Sequence, residues 1–338
     1  MSWQHIRGHD RWIQAFDDIV RRHRLAHAYL FVGPTGVGKR LFAGTLAKAL
    51  LCDQPGSPLA PCEACVSCLL VQAGTHPDLF LVERAEDANE VKIDQMRELS
   101  VNFALKPARG HGKVAIIDDA DLLNDESANC FLKTLEEPPP RSTILLIGTS
   151  LERQLPTIRS RCQVVRFAPL RDDVLRDLLK HRISSDSALI DGLVRLADGS
   201  PGQALLLADP NLWGFRDKLL RGLAQPKIKA VELAKAFTEF VEEAGKETVL
   251  HRNRAAQVLR LLLAAFKDIL HLTLESDLPT QQGEDVQLLQ ALARKASPEK
   301  VLALEERCLQ AEMQIGRYIQ VSLVLEGLME GLTQILES

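Results

Sequence analysis

A chain of 338 residues has room for two or three domains, and its balance of 46% hydrophobic to 25% charged residues is that of a soluble globular protein. A net charge of −4 has the wrong sign for a free-standing nucleic-acid binder, so any meeting with DNA is expected to occur in company. The opening stretch "MSWQHIRGHDRW" is polar, and the longest apolar runs, such as "LRLLLAAF", are too short to span a bilayer. A cytoplasmic location without membrane contact is expected. In that compartment the seven cysteines are read as metal ligands or core residues rather than disulfides.

In chain order, "YLFV" (29–32) is a short apolar run that enters a Gly-rich turn and predicts a buried strand. The turn, "GPTGVGKR" (33–40), follows the pattern Gly-x4-Gly-Lys through Gly33, Gly38 and Lys39, with Gly36 inside it. Backbone N–H groups of such a loop, together with the helix N-terminus behind it, cradle phosphates, and the lysine neutralises them. The pattern calls next for Ser or Thr, whose hydroxyl holds Mg²⁺; here Arg40 stands there. Residues 39–51 carry apolar positions at helical spacing. A Pro- and Gly-containing insertion then brings Cys52, Cys62, Cys65 and Cys68 together with the spacing C-x9-C-x2-C-x2-C. Four thiolates so clustered suit a closed, tetrahedral, structural Zn²⁺ site.

Further strands are predicted at "LFLV" (79–82), "VAIID" (114–118), "TILLIG" (143–148) and "VVRF" (164–167), with helical patterns at 92–105 and 126–137 between them. Strands alternating with helices predict a parallel sheet covered on both faces. Asp118 ends the third run, where an acid would complete a metal shell, and Asp119 follows it, either as a shortened catalytic acid or as a helix cap. Pro138–Pro140 end the helix before them, and Glu136 and Glu137 are read as solvated. Beyond 168 strand signals vanish. Helices are predicted at 172–183 and 187–197, broken by "DGSPGQ" (198–203), and from about 211 the chain is helical. Leu325, Leu328, Met329, Leu332, Ile335 and Leu336 share one face of its last helix, and "ESDLPTQQGED" (275–285) is read as a loop. The expected domains are therefore 1–168, with the cysteine insertion at 52–68, then 169–210 and 211–338.

Together "HAYLFVGPTGVGK", the four cysteines, "AGTHPDLF", "KVAIIDDADLLNDESANCFLKTLEEPPP" and "TIRSRCQ" resemble the clamp-loader subunits of bacterial DNA polymerase III, most closely the delta-prime type and next the gamma/tau type. The specific motifs span roughly residues 3–210; the remainder matches only in being helical. The resemblance implies an AAA+ fold: a RecA-like α/β P-loop nucleotide domain, a small helical lid at 169–210 and an all-α collar at 211–338 that joins subunits. It implies a hetero-pentamer with gamma/tau and delta subunits that loads the sliding clamp on primer-template DNA within the polymerase III holoenzyme. It places an arginine finger, acting on a neighbour's ATP, at Arg161 of "SRC", and a polar side chain toward the γ-phosphate at Thr149. In "GSPGQA" it puts Gly202 where gamma/tau-type motors carry a lid arginine. Arg40, Asp119 and Gly202 together favour a chain whose loop can hold ATP or ADP without turning it over, and which has no polymerase activity of its own. The other readings are a gamma/tau-like ATPase motor and, from a different class, a stand-alone zinc-containing DNA-binding protein, against which the acidic charge counts.

Overall fold

The computed structural model describes residues 3–57, 59–84, 90–183, 186–274, 284–317 and 319–338. The first half alternates as the apolar runs predict: α1 (Asp10–Arg21), β1 (Ala28–Val32), α2 (Lys39–Leu50), α3 (Val66–Gln72), β2 (Leu79–Val82), α4 (Ile93–Ala104), β3 (Lys113–Ile117), α5 (Asp125–Glu136), β4 (Ser142–Gly148), α6 (Pro156–Arg159) and β5 (Gln163–Arg166). The five strands are all parallel, in the order β2-β3-β4-β1-β5. Every residue of β1, β3 and β4 is buried, which is why these strands read as unbroken apolar runs rather than alternations. The edge strand β5, by contrast, buries only Val165.

Strand order sets the site. β4 lies between β3 and β1, with Ile144 level with both Ala28 and Ala115. The segments that leave these three strands, starting at Gly33, Asp118 and Thr149, therefore emerge side by side at the carboxyl edge of the sheet, the place where open α/β sheets gather their ligands. One face of the sheet packs α4 and α5 through Met96, Leu99, Phe103, Ala128, Phe131 and Leu135, all buried with the strand residues in one core.

After β5 the chain is helical: α7 (Asp172–Arg182), α8 (Ser187–Leu196), α9 (Pro201–Leu207), α10 (Pro210–Ala224), α11 (Ala230–Glu242), α12 (Thr248–Thr273), α13 (Glu284–Lys295), α14 (Pro298–Gly316) and α15 (Val321–Glu337). Two compact units result, Met1–Ser184 with Ala197–Gln203, and Ser185–Leu196 with Ala204–Ser338. In the second, α12 packs against α10, α11, α13 and α14, and α15 against α11 and α14. The predicted stripe of α15 is buried at Leu325, Leu328, Met329, Leu332 and Leu336, with Ile335 half-buried at its border. Of the loop expected at 275–285, residues 275–283 lie outside the described residues, and α13 begins at Glu284. The α/β P-loop fold and the all-α C-terminal region are thus as the sequence predicts. Among the described residues no helix is long and apolar enough to cross a membrane.

Candidate functional site

The Gly-rich loop joins β1 to α2, and Gly38 caps the helix in a left-handed conformation with φ of 107°. At the loop's apex Gly36 has φ of 78°, and the chain at 200–202 lies directly on it. The Ser200 hydroxyl donates to the Thr35 carbonyl at 2.8 Å, and the Gly202 N–H donates to the Gly36 carbonyl at 2.9 Å. A Cβ on Gly202 would stand 2.7 Å from the Gly36 Cα, so this close backbone approach excludes any side chain at 202, the lid arginine of a motor included. Lys39 is buried, and its ammonium donates to the Gly33 carbonyl at 2.5 Å and the Pro34 carbonyl at 2.7 Å. Burial lowers its pKa, opposed by the carboxylates of Asp118, Asp121 and Asp119. The lysine is engaged by its own loop.

Arg40 answers for the missing hydroxyl. Its guanidinium reaches across to Asp118 at 3.4 Å and pairs with Glu83, which follows β2. The acid that would hold a metal shell is thus held by a resident cation, and no hydroxyl is offered to Mg²⁺ at that position. Asp119 has φ of 52° and faces Arg84 at 3.6 Å; burial, with Asp118 next to it, pushes its pKa upward. It caps no helix through its side chain. Thr149 does not stand free either. Asp121 accepts both its N–H and its hydroxyl, each at 2.6 Å, and also accepts the Gln154 amide. Gly36, Gly38, Lys39, Arg40, Asp118, Asp119 and Thr149 line one cleft of about 320 Å³, with Asp121 among them; Gly33 sits behind it as an acceptor for Lys39. The residues that the sequence assigns to a nucleotide site are thus brought together, but their charged and hydroxyl groups are already engaged by protein partners, and the donor set does not fit metal-assisted hydrolysis.

The four cysteines of the insertion converge, with all four sulfurs within 4.8 Å of one another. The Cys52–Cys65 and Cys62–Cys68 separations are 3.9 and 4.0 Å. A tetrahedron with metal–sulfur bonds of ~2.3 Å has edges of ~3.8 Å, so the set needs only a slight contraction to hold an ion. Cys52 follows α2. Cys65 caps α3 by accepting from the Cys68 N–H, and Cys62 accepts from the Cys65 N–H at 3.2 Å, the turn that a C-x2-C pair makes before a helix. Backbone N–H groups of Ala64 and Cys65 bring the Cys62 thiol down to about 6, while burial pushes Cys52 and Cys68 upward. Four sulfurs this close become thiolates together only around a cation. Among the described residues this is the one cluster that could hold a metal ion. The insertion is tied down by the buried Lys48, paired with Glu63, and by Asp53. The Asp53 carboxyl is held at about 2, first by the Ser67 hydroxyl, and it also meets Arg109 at 3.3 Å.

Arg161 lies elsewhere, beyond α6. Its Nε donates to Glu136 Oε1 at 2.9 Å, Nη2 bonds the same oxygen, and Nη1 donates to the Thr157 carbonyl at 2.9 Å and the Ser160 hydroxyl at 3.2 Å.

With this geometry in hand, the relatives of the chain decide its family. The profile of the family described as "DNA polymerase III, delta subunit" matches residues 8–171. DNA polymerase III subunit delta' of Pseudomonas aeruginosa is 36% identical over 233 residues, which are 67% of this chain and 70% of that protein. The chain belongs to the DNA polymerase III delta' family. The Bacillus subtilis delta' subunit is 28% identical over 348 residues, covering all of this chain and 99% of its own. The Escherichia coli tau subunit is 35% identical, but only over 60% of this chain and 32% of the tau chain.

The sequence motifs named the loop, Asp118, Thr149, the cysteines and Arg161, but not the side chains that hold them. Glu83, Arg84, Asp121 and Glu136 belong to no motif that periodicity or spacing exposes. Asp121 left a trace as the third carboxylate of "DDADLL", and Glu136 as the first glutamate of "LEEPPP". Glu136, read as solvated, is exposed but engaged: it is the counter-ion of Arg161.

Proposed function

We propose that this chain is the non-hydrolysing, delta-prime-type subunit of a DNA polymerase III clamp loader. It works in the cytoplasm, assembled with gamma/tau- and delta-type subunits in a hetero-pentamer that places the sliding clamp on primer-template DNA. Its own loop can hold ATP or ADP without turning it over. Its four cysteines, Cys52, Cys62, Cys65 and Cys68, hold a structural Zn²⁺ that folds an insertion too small to bury a core of its own. Its contribution to ATP use is Arg161, whose planar, always-charged fork suits the phosphate oxygens of a nucleotide held by a neighbour.

The observation that carries the reading is Arg40 at Asp118. A cation built into the chain sits where a hydrolysing site needs a metal ligand, and Gly202 against Gly36 leaves no room for a lid arginine. The similarity to tau favours a motor as the second reading, but these two departures count against it. ATP turnover by the isolated chain is expected to be negligible, and to appear only when gamma/tau-type subunits are added. A pure chain that turns over ATP at about 1 s⁻¹ or faster belongs to the motor class instead.

A further inference from the structure

The contacts of Arg161 say more than that it is available. α5 ends at Glu136 because Pro138–Pro140 cannot extend it, and Phe131 and Leu135 fix that helix in the core of the sheet. Arg161 follows α6, whose Ile158 is buried in the same core, and Cys162 packs against it on the other side. Both charged side chains therefore spring from rigid backbone.

A guanidinium has five N–H donors. Here the Nε edge, Nε with Nη2, is taken by Glu136 Oε1, and Nη1 is taken by Thr157 and Ser160. The longest of these contacts is that to the Ser160 hydroxyl, at 3.2 Å. Releasing it alone leaves Nη1 and Nη2 with one hydrogen each along the outer edge, enough for a fork onto two phosphate oxygens, while Glu136 still holds Nε. The side chains are 32% and 49% exposed, so the pair is screened and contributes little to folding. What it does fix is the rotamer of a long side chain that would otherwise sample many.

We propose that Glu136 is the positioning residue of Arg161: it grips the Nε edge and aims the outer edge at the neighbouring subunit's nucleotide. The inference rests on the finger reading of Arg161 given above. The test uses the complete loader, reconstituted with gamma/tau- and delta-type subunits, clamp and primed DNA, with the ATP-dependent clamp-loading rate as the readout. E136A is expected to lower the maximal clamp-loading rate about 5- to 20-fold with KM for ATP unchanged, a misplacement effect on the transition state rather than on binding. E136Q, which keeps the accepting oxygen, should retain more than about half the rate, and E136D, which withdraws it by one methylene, should fall below E136Q. In an R161A background E136A should cost nothing further, the mark of one coupled unit.

The outcomes separate cleanly. If R161A alone leaves clamp loading unchanged, the finger reading falls and the positioning role with it. If R161A lowers the rate while E136A equals wild type, positioning is overturned and the finger stands. An E136A rate above wild type makes Glu136 a latch, which also overturns it. An equal loss from E136A with and without Arg161 assigns Glu136 an unrelated role. Should E136A fail to assemble, the comparison of E136D with E136Q decides: equal rates overturn the proposal.

Discussion

Arg40 carries its charge into the place where a hydrolysing loop keeps a metal-binding hydroxyl. Its pairing with Asp118 and Glu83 explains how a chain can retain the acid of a metal shell without repulsion between neighbouring carboxylates. The Arg40 side chain is 60% exposed, so the interaction is screened and modest. Arg40→Ala is expected to destabilise the fold by about 0.5–1 kcal/mol, seen as a fall in Tm of about 1–4 °C, and Asp118→Asn in the same chain should recover most of it. Arg40→Thr restores the hydroxyl but should not restore turnover, because Lys39 remains bound to its own loop and Gly36 remains covered by Gly202. Calorimetry of the three variants, with an ATPase assay of the threonine form, checks both statements. An active Arg40→Thr chain would mean that one residue, and not the packing of the loop, silences the site.

At the scale of elements, the strands were legible because burial on both faces writes unbroken apolar runs, as in β1, β3 and β4, whereas beyond 211 the sequence showed only that the chain is helical. Helix α3 was not, since its seven residues are too few to establish a period. It exists because Cys65 caps it and because Cys68, on its first turn, faces the other three sulfurs. The cysteine spacing disclosed the cluster; the anchors Lys48–Glu63 and Asp53–Ser67, which join residues 14 or 15 apart, were invisible without the fold. Likewise "GSPGQA" showed that an arginine was missing, but not that Gly202 presses its backbone onto Gly36. Zinc is expected to complete the fold of the insertion, which these anchors alone do not hold. Metal analysis of reduced protein should find a single zinc ion per chain, and Cys65→Ser should abolish it. Removing the ion with a strong chelator should lower Tm by about 5 °C or more, because metal binding and folding of such a segment are one equilibrium. Reduced, zinc-free protein with an unchanged Tm would leave the cluster as packing alone.

For the molecule as a whole, the same chain holds Lys39, bonded to its own loop, and Arg161 at a different place on the same unit. If it works within an assembly, the two should differ in what they do to their neighbours. Lys39→Ala removes an ammonium that, among the described residues, bonds the Gly33 and Pro34 carbonyls of its own loop, so clamp loading and DNA-stimulated ATP hydrolysis by the assembled complex should stay near wild type. Arg161→Ala should leave the chain folded and able to assemble, since a partly exposed arginine contributes little to stability. Yet it should depress hydrolysis at one neighbouring site by up to roughly 10³–10⁵, the worth of a finger supplied in trans. Sites elsewhere in the ring keep their own fingers, so the bulk ATPase falls only by the share of the affected site. Clamp loading, which needs the sites to act together, is therefore the more sensitive measurement. Arg161→Lys should recover part of the loss, because an ammonium supplies the charge but not the fork, and cannot hold Glu136 by an Nε edge while reaching outward. The order wild type ≈ Lys39→Ala > Arg161→Lys > Arg161→Ala in clamp loading follows from the placement of these two cations. An Arg161→Ala complex that loads clamps as fast as the Lys39→Ala complex would remove the arginine from the reaction and leave the chain a purely structural member of the ring.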